Sequence, residues 1–135
     1  MIITIDGPAG SGKSTVAKLL AERLKVRFLD TGAMYRAIAL AVLRSAIDES
    51  DHDAVAKISG TVQIRFDGTK LILNGEDVSA EIRSPDVTAV SSIIASNPHV
   101  RNRLVALQRE IGHQGSMVTE GRDQGTVVFP DAEHK

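Results

Sequence analysis

The chain has no cysteine among its 135 residues, which excludes a disulfide framework, a thiolate metal site and a catalytic thiol, and is compatible with a reducing setting. It also lacks an excess of either charge. Sixteen Lys and Arg against seventeen Asp and Glu leave a formal net charge of −1, so broad electrostatic attraction to nucleic acid or to a membrane surface is not expected. Any anion bound here must be met by a local site. No run of about 18 apolar residues occurs, and the start, Met1 to Asp6, has neither the basic region nor the long apolar core of a secretion signal. The four histidines, His52, His99, His113 and His134, are scattered without metal-ligand spacing and read as surface residues. Internal repeats and low-complexity segments are absent. What remains, 42% apolar and 24% charged over a single-domain length, is an ordinary globular composition, for which one core, a cytoplasmic location and a monomer are expected.

The pattern along the chain predicts an α/β fold. Met1 to Ile5 is a short β-branched run that enters the glycine-rich stretch Asp6 to Gly12, as a buried strand feeding a loop does. From Ser14 onward Val16, Leu19, Leu20 and Leu24 fall at helical spacing, with Lys18, Glu22 and Arg23 left for the opposite face. Val26 to Leu29 gives a second strand, completing a βαβ unit and predicting a parallel sheet. Asp30-Thr31-Gly32 then lies just beyond the second strand's carboxyl end, where open α/β sheets place ligands. Ala33 to Ile47 reads as a long, largely buried helix.

Between Thr61 and Ser84 the pattern changes. Val62, Ile64 and Phe66 alternate with polar residues, Leu71 to Leu73 forms another apolar run, and Asp67-Gly68 and Asn74-Gly75 are turn dipeptides, so a small antiparallel insert is predicted. Helices return through Val87, Val90 and Ile94, break at Asn97-Pro98 and resume from Val100 to about Ile111, before Met117 to Thr119 offers a third core strand. The chain divides on this basis into a first core part (1–60), the β-rich insert (61–84) and a final part of helices and third strand (85–135). Three parallel strands make a thin sheet, and the expectation is that the natural domain continues beyond Lys135.

Gly7-Pro8-Ala9-Gly10-Ser11-Gly12-Lys13-Ser14 has the spacing GxxxxGK[ST], between a predicted strand and a predicted helix. Backbone N–H groups of such a loop curl around phosphates, and the helix start adds unpaired donors and the positive end of its dipole. Lys13 is expected to reach the β- and γ-phosphates of ATP, and the Ser14 hydroxyl to be the protein ligand of Mg²⁺. A small GTPase would carry Asn-Lys-x-Asp, which does not occur. A kinase needs a second anion site, and Arg36, Arg101 and Arg122 each fall near a predicted ligand-facing edge, where an arginine suits a bidentate grip on phosphate. For each of them a surface-paired side chain is the alternative.

Ile5-Asp6-Gly7-Pro8-Ala9-Gly10-Ser11-Gly12-Lys13-Ser14-Thr15, Leu29-Asp30-Thr31-Gly32-Ala33-Met34-Tyr35-Arg36 and Glu120-Gly121-Arg122-Asp123 through Gly125 to Ala132 resemble three signature stretches of bacterial cytidylate kinases. Leu73 to Val78 with Ile82-Arg83 is similar to that family's insert in the monophosphate-binding region. The resemblance runs over the whole chain, in order. It implies a P-loop kinase core of parallel sheet with helices on both faces, and transfer of the γ-phosphate of ATP to CMP or dCMP. The donor side would be Gly7 to Thr15. The acceptor side would be Thr31, Arg36, Ser92, Arg101, Arg122 and Asp123, with Lys13, Arg36, Arg122 and Asp123 as the catalytic set. For Ser92, beside Ser91 in a helix, packing or plain exposure stands as an equal alternative. For Asp30 and Asp123 the choice is between ordering metal-bound water and capping a turn. Gln124 departs from the pattern, since the family usually has an aliphatic residue there. Family members also continue through a further strand and an arginine-bearing lid, which find no match here. Two other activities fit a P-loop: phosphorylation of a small-metabolite alcohol, and nucleotide binding without catalysis.

Overall fold

A computed structural model describes residues 1–8 and 11–135; Ala9 and Gly10, in the middle of the expected phosphate loop, lie outside the described residues. In chain order the elements are β1 (Ile2–Asp6), α1 (Lys13–Leu24), β2 (Arg27–Asp30), α2 (Thr31–Arg44), α3 (His52–Thr61), β3 (Ile64–Asp67), β4 (Lys70–Leu73), β5 (Glu76–Asp77), a 3₁₀ turn (Glu81–Arg83), α4 (Pro85–Ala95), α5 (Pro98–Gly112), β6 (Met117–Gly121) and a π-helical turn (Gln124–Val128). None of the described helices is long and apolar enough to cross a membrane. The chain forms two compact units, Met1–Thr31 with Val105–Lys135, and Gly32–Leu104.

The first unit is built on a parallel sheet in the order β1-β6-β2. The last strand, β6, expected as the third of the core, is therefore the middle strand of the sheet, pairing Ile2 to Asp6 with Met117 to Gly121 on one side and Arg27 to Asp30 with Met117 to Glu120 on the other. Its first four residues are all buried, as befits a strand covered on both faces and both edges. Helix α1 joins the two outer strands, and its packing differs from the periodicity expected for it. Ala17 and Ala21 are the buried residues, packed with Val118, whereas Val16 and Leu19 are 55% and 51% exposed and Leu24 is exposed too. Two alanines one turn apart let the helix backbone approach the sheet closely, and the larger apolar side chains are turned outward. Leu20, Ile3, Ile5, Val26 and Phe28 pack partly buried around this small core.

The second unit contains the expected long buried helix. In α2, Ala33, Met34 and every residue from Ala37 to Val42 are buried. The helix ends at Arg44, earlier than expected, where the Ser45 hydroxyl donates to the Ala41 carbonyl and Ala46 turns to a positive φ of 54°. Helix α3, for which the sequence pattern made no provision, starts at Asp51, whose carboxylate accepts the Ala54 N–H at 3.2 Å. The insert is antiparallel, β3-β4-β5, with Ile64 opposite Leu73 and Leu73 opposite Glu76. Asn74 and Gly75 both have positive φ, 50° and 84°, as a two-residue hairpin loop requires, which explains that dipeptide. Ser84 caps α4 by accepting the Val87 N–H, with Pro85 as the first helical residue. Asn97 caps α5 by accepting from the His99 and Val100 N–H groups, and its amide donates to the His52 carbonyl.

Candidate nucleotide site

The carboxyl end of the parallel sheet holds the candidate donor site, and the residues below belong to the first unit unless stated. Strand β1 ends at Asp6. Immediately after it the Gly7 N–H donates to the carbonyl of Gly121, the last residue of β6, at 3.2 Å, so the loop leaves the sheet from a fixed point. The Ser11 N–H donates to the Pro8 carbonyl at 3.3 Å, and Gly12, with φ 82°, leads into α1. The start of that helix has no side-chain cap and no acidic residue in its first turn, an arrangement in which the positive end of the dipole can meet an anion.

Lys13 and Ser14 open the helix and converge on one carboxylate. The Ser14 hydroxyl donates to Glu120 Oε1 at 3.1 Å, and Lys13 Nζ lies 3.8 Å from Glu120 Oε2 while donating to the Pro8 carbonyl at 3.4 Å. Glu120 is only 6% exposed and sits next to last in β6. A carboxylate so placed, at the carboxyl end of the middle strand, would be costly to bury without these two partners. Sequence reasoning quoted Glu120 within a signature stretch but gave it no role. The available signal was an acid closing the otherwise uncharged strand Met117-Val118-Thr119.

The acceptor-side candidates are placed as follows. Thr31, buried at the start of α2, donates its hydroxyl to the Glu120 carbonyl at 2.8 Å, which ties the ends of β2 and β6 together. Arg122 and Asp123 form the turn after β6; Arg122 is exposed, Asp123 half-buried, and the Asp123 carbonyl accepts the N–H groups of Val127 and Val128. Next to them Gln124 is buried, where an aliphatic residue was the family expectation. Its Oε1 accepts from the Thr119 hydroxyl at 2.7 Å and its Nε2 donates to Gln108 Oε1 at 3.2 Å. In the second unit Arg36 is half-buried on α2, Ser92 is exposed on α4, and Arg101 is exposed near the start of α5. Thr15 is exposed in the first turn of α1. A largely apolar cavity of about 350 Å³ lies elsewhere in the first unit, lined by Ile2, Arg109, Gly112 and Val128 to Glu133, and contains none of the candidate residues.

A strand, glycine loop and helix on a parallel sheet, with a lysine and a serine at the helix start facing an acid on the neighbouring strand, define the P-loop nucleotide-binding class. Within that class the chain belongs to the cytidylate kinase family, whose profile matches residues 3–135. It is 54% identical to a cytidylate kinase of Mycobacterium avium (strain 104) over 137 residues, covering 98% of this chain and 60% of the relative. It is 49% identical to that of Syntrophotalea carbinolica over 139 residues, with 100% and 59% covered, and 46% identical to that of Symbiobacterium thermophilum over 140 residues, with 100% and 62% covered. The chain thus spans about 60% of the length of these relatives.

Proposed function

We propose that the protein transfers the γ-phosphate of ATP to CMP or dCMP, giving ADP and CDP or dCDP. The observation that carries this reading is the convergence of Lys13 and Ser14 on the buried Glu120 beside an uncapped helix start, in a chain that belongs to a family of nucleoside monophosphate kinases. On this reading the backbone N–H groups at the start of α1, Gly12 to Thr15, donate to the phosphates of ATP, and the Lys13 ammonium neutralises part of their charge.

The donor set at Ser14 and Glu120 fits Mg²⁺. A hydroxyl and a carboxylate 3.1 Å apart are hard oxygen ligands, and the described residues hold no cluster of three or more His, Asp or Glu that would suit an all-protein metal cage. Mg²⁺ bound there would neutralise charge on the β- and γ-phosphate oxygens. Arg36, Arg101 and Arg122 are assigned as ligands of the acceptor phosphate, and Thr31, Ser92 and Asp123 as contacts to the rest of the acceptor nucleotide. An oxygen of the acceptor phosphate is already a charged nucleophile. It attacks the γ-phosphorus directly as the bond to the β-phosphate oxygen breaks and ADP leaves, so the protein's part is positioning and charge neutralisation. Because these substrates are cytoplasmic nucleotides, the proposal includes a cytoplasmic location; a monomer acting on small molecules is proposed with it.

Calorimetric titration of CMP, dCMP, UMP and AMP, with ATP titrated separately, tests the assignment. CMP and dCMP are expected to bind at least about tenfold tighter than AMP, because a pocket built to hydrogen-bond the cytosine edge leaves polar groups unpaired with another base. Equal or absent affinity for all four monophosphates would overturn the acceptor assignment. Turnover of a small alcohol in an ADP-release assay, with none of CMP, would replace it with a different kinase reaction.

A further inference from the structure

We infer that Asp6 is a positioning residue for the acceptor side, holding the turn that carries Arg122 and Asp123; this rests on the acceptor assignment proposed above. An aspartate at the end of a strand is ordinarily just solvated. Here both carboxylate oxygens are taken by consecutive backbone amides more than a hundred residues away, Gln124 N–H to Oδ1 at 2.7 Å and Gly125 N–H to Oδ2 at 2.8 Å. Charge-assisted bonds of this length are stronger than the ordinary backbone kind.

The geometry gives the turn two feet. On the near side Gly121 pairs with Asp6 in the sheet register and accepts the Gly7 N–H. On the far side Gln124 and Gly125 rest on the Asp6 carboxylate. Only Arg122 and Asp123 lie between, so their backbone is fixed at both ends by Asp6 and Gly7, the residues from which the phosphate loop departs. The far foot is also fitted closely. A Cβ at position 125 would stand 2.8 Å from Thr4 Oγ1 and 3.2 Å from Asp6 Oδ2, so only glycine lets this backbone come near enough to bond the carboxylate.

The test is Asp6→Asn, which keeps one acceptor oxygen and sets an amide NH₂ against the other backbone donor. Hydrogen exchange at Gln124 and Gly125 is expected to speed up at least about tenfold while Val118 and Thr119 in β6 stay protected. CMP affinity is expected to fall about tenfold, with ATP affinity within about twofold, a split that general loosening of the fold would not produce. Asp6→Glu, which keeps the charge but lengthens the arm, is expected to restore part of the protection. Unchanged exchange at the two amides overturns the inference, and so does an equal loss of CMP and ATP affinity. If the unsubstituted chain binds ATP but no CMP, the proposed acceptor fails, whereas faster exchange in Asp6→Asn still supports the clamp. Should Asp6→Asn not fold, the unsubstituted chain carries the test, because unprotected Gln124 and Gly125 amides would remove the clamp outright.

Discussion

At the residue scale, the buried polar side chains around β6 decide more than their number suggests. Gln124 bridges the Thr119 hydroxyl and the Gln108 amide, and every buried side-chain nitrogen and oxygen among the described residues has a partner. Gln124→Met, which puts an apolar side chain of similar length there, strips partners from two other buried groups at once. It should destabilise the fold by about 1–3 kcal/mol, the cost of leaving buried polar groups unsatisfied. Gln108→Leu combined with Gln124→Met should cost less than the sum of the two single changes, because it removes both ends of the amide pair. Urea unfolding of the three variants checks this, and strict additivity would show that the two amides are not coupled. The sequence marked Gln124 as unusual, but its meaning depends on Gln108, which sits on a helix 16 positions earlier. The same holds for Glu120, whose partners Lys13 and Ser14 are brought to it only by the pairing of β1 with β6.

At the element scale, local chemistry was legible wherever one dipeptide or cap determines the backbone. Asn74-Gly75 announced its hairpin, and Asn97-Pro98 the break between α4 and α5. The orientation of α1 was not legible, because a count of large apolar residues favours Val16 and Leu19, whereas close packing on a sheet favours the small Ala17 and Ala21. Within the second unit the end of α2 is joined to β5 by Arg44, whose guanidinium donates to both oxygens of Glu76 at 3.0 and 3.1 Å. That bond holds the Glu76 carboxyl below the ordinary carboxylate range and raises Arg44. Hydrogen bonds from Ser79 and Ser50 lower Asp77 and Asp48 in the same way. A carboxylate whose folded-state pKa is depressed contributes stability that is present above its unfolded value and is lost as pH falls through the folded one. Stability should therefore decline as pH drops through about 4 and below, and Glu76→Gln should flatten part of that decline. Because the pair is exposed, the effect is small and is weakened by salt. Urea midpoints measured from about pH 6 to about pH 3 give the comparison, and an identical acid slope in Glu76→Gln would remove the pair from the account.

At the scale of the whole molecule, the α/β class and the strand–loop–helix start were legible because they are written within about 30 consecutive residues. The sheet order was not, since β6 (from Met117) enters between two strands that both end by Asp30, far earlier in the chain, and no local pattern names its neighbours. The candidate residues divide between the two units: Lys13, Ser14, Thr31, Arg122 and Asp123 in the first, and Arg36, Ser92 and Arg101 in the second. The donor and acceptor assignments name different side chains, Lys13 and Ser14 on one side and Arg36 and Arg122 on the other, and so are separable by experiment. Lys13→Ala removes a cation from the phosphate loop, and Arg122→Ala removes an exposed side chain whose loss should leave folding nearly unchanged. A hydrogen bond to a charged group contributes about 1.5–3 kcal/mol, so each change should weaken its own ligand by about 10–100-fold. Lys13→Ala should act on ATP and spare CMP, and Arg122→Ala and Arg36→Ala should do the reverse. The readout is the rise in melting temperature on adding each nucleotide, since a ligand at about 100 times its Kd adds about 2.7 kcal/mol of stability. If Arg122→Ala reduced the shift with ATP and left the shift with CMP unchanged, the turn after β6 would belong to the donor side and the acceptor would have to be held by other residues.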